Sequence, residues 1–262
     1  MNAAARAAAT MLQAVPRGFG DRRAAQTVYS KLLRGNGDHE TATIGKASME
    51  LSLDDWPQAQ AYLLRRYDPS TVAFVCAHLG ENGIFVDGGS HVGLIALQVA
   101  RQVPGASIHA FEPHPLKFPA LQRNIERNNA RVIANNFGLS DSATTLAYDA
   151  ERHTIDDSAE SAIEVMTLDD YATSRGLVHI DVLKLDIEGH ELSALRGAKG
   201  LLQRGLIRAI TMESLHGDTT EPMQMLDDLG YVRVAMPDTR PRWLASRRPM
   251  PLENVGYIAP AR

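Results

Sequence analysis

The chain has 262 residues, 44% of them hydrophobic and 22% charged, with a formal net charge of −4. This is the balance of an ordinary soluble globular protein, long enough to bury a sizeable core, and its acidic sign argues against a surface that tracks nucleic acid. The single cysteine, Cys76, excludes a disulfide framework and any multi-cysteine metal site, and it points to a reducing, cytoplasmic compartment.

No window reaches the roughly 18 apolar residues of a membrane span, and Arg6, Thr10 and Gln13 interrupt the Ala-rich start too often for a secretory signal. Residues 1–82 read as a cap of helices and one hairpin, a candidate lid or homodimer surface. Within it 41–54 alternates like a hairpin, and 54–68 and 69–80 read as two helices that pack on a sheet.

From residue 83 short strands alternate with helices. The pattern predicts strand 83–89, helix 92–103, strand 107–113, helix 116–128 and strand 131–137. Strands at 144–149 and 162–167 follow, then a short helix with Thr167 and Asp170 as a capping box. Strand 178–186, helix 190–202, strand 206–213, helix 221–229 and strands 231–236 and 254–259 complete the chain. Such alternation implies right-handed crossovers and an α/β fold: a Rossmann-like, mostly parallel seven-stranded sheet flanked by helices, with the last strand antiparallel.

In such a sheet a ligand sits outside the carboxyl ends of the strands, here after strand 83–89. There the chain reads Asp87-Gly88-Gly89-Ser90-His91-Val92-Gly93, a turn whose glycines permit close backbone approach. Glu112 ends the next strand, where a carboxylate can accept both hydroxyls of a ribose. A dinucleotide oxidoreductase would need glycine at position 90, which is Ser, and Asp87 would repel a pyrophosphate.

The segments FVDGGSHVG, HAFEP, FGLSD, TLDDY and LKLDIEGHEL together resemble the FkbM family of S-adenosylmethionine (SAM)-dependent methyltransferases, from about residue 51 to 259. Gly88 and Ser90 stand where the family often has Val or Ile and Ala, and Tyr67-Asp68-Pro69 where it often has Tyr-Glu-Pro. The resemblance implies that residues 83–262 form a SAM-binding catalytic unit. It further implies that Asp87, Gly89 and Gly93 shape the cofactor pocket, that Glu112 holds the ribose, and that Ser140 and Asp141 lie near the adenine. Tyr67, Gly88, Ser90, His91, Pro113 and Asp186 are assigned to the same site, His91 toward the methionine portion.

Transfer to an alcohol needs a base or a metal to take the proton. Candidates at the strand ends are Asp186, Glu188 and His190 after one strand, and Glu213 and His216 after the next. On one route Glu188 or His190 is the general base. On the other Asp186, Glu213 and His216 hold Mg²⁺ or another divalent cation. Asp169 and Asp170 read as caps, and Lys184 as a paired or snorkelling lysine.

The segment 237–253 carries Arg240, Arg242 and Trp243, suited to carboxylate or phosphate and to a sugar face, and His153 lies in a second polar insert. These are the candidate acceptor residues. The resemblance points to O-methylation of a small hydroxylated acceptor, a sugar, glycolipid or macrolide-type metabolite. An N-methyltransferase and a SAM-binding protein without turnover are the alternatives.

Overall fold

The computed structural model describes residues 1, 3–14, 21–150, 154–156, 158–159, 161–213, 220–239 and 254–260. Helices α1 (Ala3–Gln13) and α2 (Asp21–Val28) precede a hairpin of β1 (His39–Ile44) and β2 (Ala47–Ser52), as 41–54 predicts. Helices α3 (Trp56–Leu64) and α4 (Pro69–His78) follow. Each starts with an aspartate cap and an early proline: Asp55 accepts from Gln58 N at 3.2 Å and Asp68 from Thr71 N at 3.1 Å.

The alternating unit then runs β3 (Ile84–Gly88), α5 (Ala96–Gln102), β4 (Ser107–Phe111), α6 (Lys117–Asn128) and β5 (Val132–Asn135). Four short strands come next: β6 (Gly138–Leu139), β7 (Thr144–Asp149), β8 (Thr154–Ile155) and β9 (Ala162–Met166). After α7 (Leu168–Arg175) come β10 (Ile180–Leu185), α8 (Glu191–Arg196), α9 (Lys199–Gln203), β11 (Ile207–Glu213), α10 (Glu221–Asp228), β12 (Val232–Val234) and β13 (Asn254–Ile258).

Seven strands form one sheet in the order β12-β13-β11-β10-β3-β4-β5. The ladders from β11 to β5 are all parallel, and β13 runs antiparallel between β11 and β12. This is the expected α/β sheet with its antiparallel last strand. The chain order reverses between β3 and β10, so ligands belong at the carboxyl ends of those two strands.

Three local expectations change. The helix expected at 92–103 starts only at Ala96, because His91 and Gly93 hold φ of 55° and 90°, which no helix accommodates. The helix expected at 190–202 breaks into α8 and α9 near Gly197, where a Cβ would lie 1.9 Å from the Ser140 carbonyl oxygen. Asp169 then caps α9 from a distance, accepting from Gly200 N at 2.7 Å and Leu201 N at 2.9 Å. Finally, the strand expected at 131–137 ends at Asn135, and those expected at 144–149 and 162–167 join residues 138–139 and 154–155 in a separate four-stranded sheet, β6-β9-β7-β8.

The hairpin and α3 bury their apolar faces against α1 and against Val92, Leu94 and Leu97, whereas Val72, Phe74 and Val75 of α4 pack on the main sheet. Only α4 of the two expected helices therefore covers the sheet directly. Asn124 and Asn128, one turn apart on α6, close the outer edge of β2. Their side chains accept from Glu50 N at 2.7 Å and Ser48 N at 2.9 Å and donate back to the carbonyls of the same residues. A helix thus imitates a neighbouring strand and leaves no open edge there. No helix among the described residues is long and apolar enough to cross a membrane.

His109 sits inside this fold, its ring nitrogens 2.7 Å from Tyr171 Oη and 3.1 Å from Ser107 Oγ. Burial, helped by the Arg175 charge, pushes its pKa down to about 4 from the ordinary 6.5. The unfolded chain therefore binds a proton that the folded one refuses, and stability falls as pH drops from about 6.5 toward 4. Urea midpoints across that window should decline in the wild type and decline less in His109→Asn; equal slopes would refute the assignment.

Candidate functional site

A cleft of about 290 Å³ opens at the carboxyl ends of β10, β3 and β4. That is the lower end of the size of small-molecule sites, about 300 Å³ upward. Its floor is two loops in backbone contact. Gly89 holds φ of 73°, and a Cβ there would lie 1.9 Å from the Asp186 carbonyl oxygen, so only glycine fits.

Asp87 lies beneath this floor with no exposed surface. Ser90 Oγ donates to its Oδ2 at 2.5 Å, and Lys184 Nζ stands 3.0 Å from its Oδ1. The same ammonium donates to the carbonyls of Gly88 and Gly89 at 3.1 and 3.0 Å. Burial opposes the Lys184 charge, but the Asp87 and Asp186 carboxylates outweigh it and hold the pKa above its ordinary value. Lys184 is therefore a buried, paired lysine that pins the glycine turn.

Glu112 is buried and lines the cleft. Its Oε2 accepts from His91 N at 2.7 Å and its Oε1 from His114 N at 2.9 Å. Each oxygen keeps a further lone-pair direction for a ligand hydroxyl. Beside it Leu139, Tyr148, Ile163 and Val165, all from the small sheet, form an apolar wall fit for an aromatic base. Pro113 lines the cleft as well. Ser140 and Asp141 do not: Ser140 Oγ stands 2.9 Å from His190 Nε2, and the exposed Asp141 accepts from Ser142 Oγ at 3.2 Å.

The His91 ring turns toward the N-terminal helices. Its Nε2 lies 2.5 Å from Lys117 Nζ and 3.2 Å from Asp55 Oδ2, and Lys117 donates to the same Asp55 oxygen at 2.6 Å. Burial works against the Asp55 carboxylate, yet His91 and Lys117 outweigh it and hold its pKa far below the usual range. Lys117 was legible as an oddity, since a lysine in the first turn of a helix opposes the helix dipole. Asp55 carries no such signal, because an aspartate just before a helix is an ordinary cap.

Asp186, Glu188, His190, Glu213 and Tyr67 also line the cleft, with Glu188 within electrostatic reach of Tyr148, His91 and Lys117. Burial raises the Tyr67 phenol pKa, and the Asp186 carboxylate adds to it, so Tyr67 stays neutral and keeps a proton to donate. Glu188, at φ of 55°, is likewise held above its ordinary value by burial and then by Asp186 and Glu191. His190 is lowered by burial, against the Asp141 and Glu191 charges. Glu191 holds the loop itself, accepting from Ile187 N at 3.1 Å and Gly189 N at 3.4 Å.

Of the other sequence-based candidates, His153, His216, Arg240, Arg242 and Trp243 lie outside the described residues. Among the described residues no three His, Cys, Asp or Glu side chains come together as a metal site. Trp56, Gln60 and Arg22, which sequence reasoning passed over, line the cleft instead.

The family profile described as "Methyltransferase FkbM domain" matches residues 87–233, which contain the glycine turn, Glu112 and the 184–191 loop. The chain belongs to this FkbM methyltransferase family. It is a SAM-dependent methyltransferase. Among relatives, methyltransferase sdnD of Sordaria araneosa is 29% identical over 59% of this chain and 76% of its own length. Hexuronic acid methyltransferase AglP of Haloferax volcanii is 27% identical over 53% of this chain and 59% of its own length. The 31-O-demethyl-FK506 methyltransferase FkbM of Streptomyces tacrolimicus is 26% identical over 61% of this chain and 76% of its own length. Among solved structures the METTL16 MTase domain superposes with a TM-score of 0.51 at 14% identity, over 92% of this chain and 81% of that one. That likeness is one of fold alone.

Proposed function

We propose that this FkbM-type enzyme is an O-methyltransferase acting on a hydroxyl of a small sugar or sugar-like acceptor. The observation that carries the reading is the pairing of two chemistries in one cleft: a ribose-type acid, Glu112, beside an apolar wall, and three further carboxylates, Asp186, Glu188 and Glu213, on the same lining. SAM supplies an electrophilic methyl group, and the chain supplies position and a proton acceptor.

On this reading Glu112 receives the ribose hydroxyls, the wall of Leu139, Ile163 and Val165 takes the adenine, and Tyr67 donates to the methionine carboxylate. Holding acceptor and methyl group in line contributes up to about 7–11 kcal/mol of the barrier. Glu188 takes the hydroxyl proton: its raised pKa brings it closer to the working pH, where a general base is most effective. His190, engaged by Ser140, is the weaker candidate. A divalent cation at Asp186, Glu213 and His216 would lower the hydroxyl pKa by another route.

The relative named for a 31-O-demethyl compound supports an oxygen acceptor, and the one named for a hexuronic acid supports a sugar. The test is transfer of labelled methyl from SAM to a panel of methyl glycosides, methyl uronides and matching amines, with EDTA or Mg²⁺. Transfer to a glycoside that drops at least tenfold in Glu188→Gln, with S-adenosylhomocysteine (SAH) binding retained, is the expected result. Transfer to amines alone would replace the reading with N-methylation, and binding without turnover on any acceptor would replace it with a SAM-binding protein.

A further inference from the structure

The cleft has three distinct sides. Its floor is the strand-end loops, one wall is the apolar face supplied mainly by the small sheet, and the remaining wall comes from the N-terminal helices through Arg22, Trp56, Pro57 and Gln60. On the reading of the cofactor site above, SAM uses the floor and the apolar wall. The N-terminal wall is what remains for the second substrate.

That wall is built to hold its shape. The Trp56 indole rests on the Tyr29 ring, centroids 5.3 Å apart and tilted by 53°, and Tyr29 is anchored by its hydroxyl to Asp54 O at 2.6 Å. Trp56 opens α3, and Gln60 follows four residues later on the same face. Asp55, the cap of α3, uses Oδ1 for Gln58 N and Oδ2 for Lys117 and His91. Since the His91 backbone N–H is bound to Glu112, a continuous chain of contacts ties the start of α3 to the ribose acid. Trp56 is thereby fixed relative to the place where the cofactor would lie, and Asp55 is the positioning residue.

We infer that the α3 face of Trp56, Pro57 and Gln60 is the acceptor subsite, and that it takes a polyhydroxylated ring laid flat on the Trp56 indole. The C–H face of such a ring is apolar and suits an aromatic platform, while its rim of hydroxyls needs groups that both accept and donate. Gln60 offers an amide with both, and Glu188 and Glu213, which line the same cleft, offer acceptors. Lys117 is already matched by Asp55 and so does not itself call for an anion.

The chain has two tryptophans, Trp56 and Trp243, which makes the inference directly readable. Trp243→Phe leaves Trp56 as the sole indole, and Trp56→Phe leaves Trp243. Each protein is first shown by calorimetry to bind SAH, then titrated in its presence with methyl β-D-glucopyranoside and methyl β-D-glucuronide, with ethylene glycol as the solvent control. A saturable emission change in the Trp243→Phe protein, weakened severalfold by adding Gln60→Ala, is the expected result. A saturable change only in the Trp56→Phe protein would move the platform to residue 243. No saturable change in either protein, with SAH bound, would overturn the subsite while leaving the methyltransferase reading intact. Failure of the wild-type protein to bind SAH would instead remove the cofactor placement on which the subsite rests.

Discussion

Glu112→Gln should weaken SAH binding by about 10- to 100-fold, and Glu112→Ala by about a thousandfold. A hydrogen bond to a charged group contributes about 1.5–3 kcal/mol, and each 1.4 kcal/mol is a factor of ten. The amide loses one charged acceptor and the alanine loses both. Calorimetry of the two variants beside the wild type reads the effect, and thermal melts without ligand separate it from misfolding, because Glu112 also accepts from His91 N and His114 N. At about 100 times Kd, SAH should stabilise the wild type by about 2.7 kcal/mol, and at the same concentration should leave Glu112→Ala nearly unmoved. Wild-type affinity in Glu112→Ala would show that the ribose is held elsewhere.

Lys184→Met should be the most destabilising single change in the cleft. It leaves the Asp87 carboxylate fully buried without its cation and removes the donor that joins the carbonyls of Gly88 and Gly89. Breaking one side of a buried ion pair costs about 3–5 kcal/mol. At about 2–4 °C per kcal/mol for a chain approaching this size, Tm should fall by about 6–20 °C. Adding Asp87→Asn removes the stranded charge and should recover part of the loss. A double variant less stable than either single one would indicate that the pair acts through something other than charge compensation.

Residues close in sequence were legible because their structure follows from local period and local caps. Thr167 does bond Asp170 at the start of α7, with Thr167 Oγ1 accepting from Asp170 N at 3.0 Å. The hairpin follows the alternation of Ala42, Ile44, Ala47 and Met49. The α5 boundary was misread because Val92, Leu94, Ile95 and Leu97 are apolar enough for a helix, while the positive φ of His91 and Gly93 is imposed by the ligand loop. Asp87 was expected at the ligand face, but its partner Lys184 belongs to a neighbouring strand, and that pairing draws the carboxylate beneath the turn.

The sequence by itself determined the strand and helix order, the parallel sheet, the glycine turn with Glu112, and through its motifs the methyltransferase family, since each rests on spacing within one segment or between adjacent strands. Only the tertiary structure decided that Asp55, His91 and Lys117 meet, that Ser140 engages His190, and that Trp56 and Gln60 line the cleft. Asp55 and Lys117 are 62 residues apart, and Ser140 and His190 are 50. Contacts over such separations leave no periodic trace. The contacts of Asp55, Trp56 and Gln60 arise when the helices before the sheet bury their apolar faces on Val92, Leu94 and Leu97 and so bring α3 over the ends of the strands, whereas Ser140 meets His190 because its carbonyl packs against Gly197 at the end of α8.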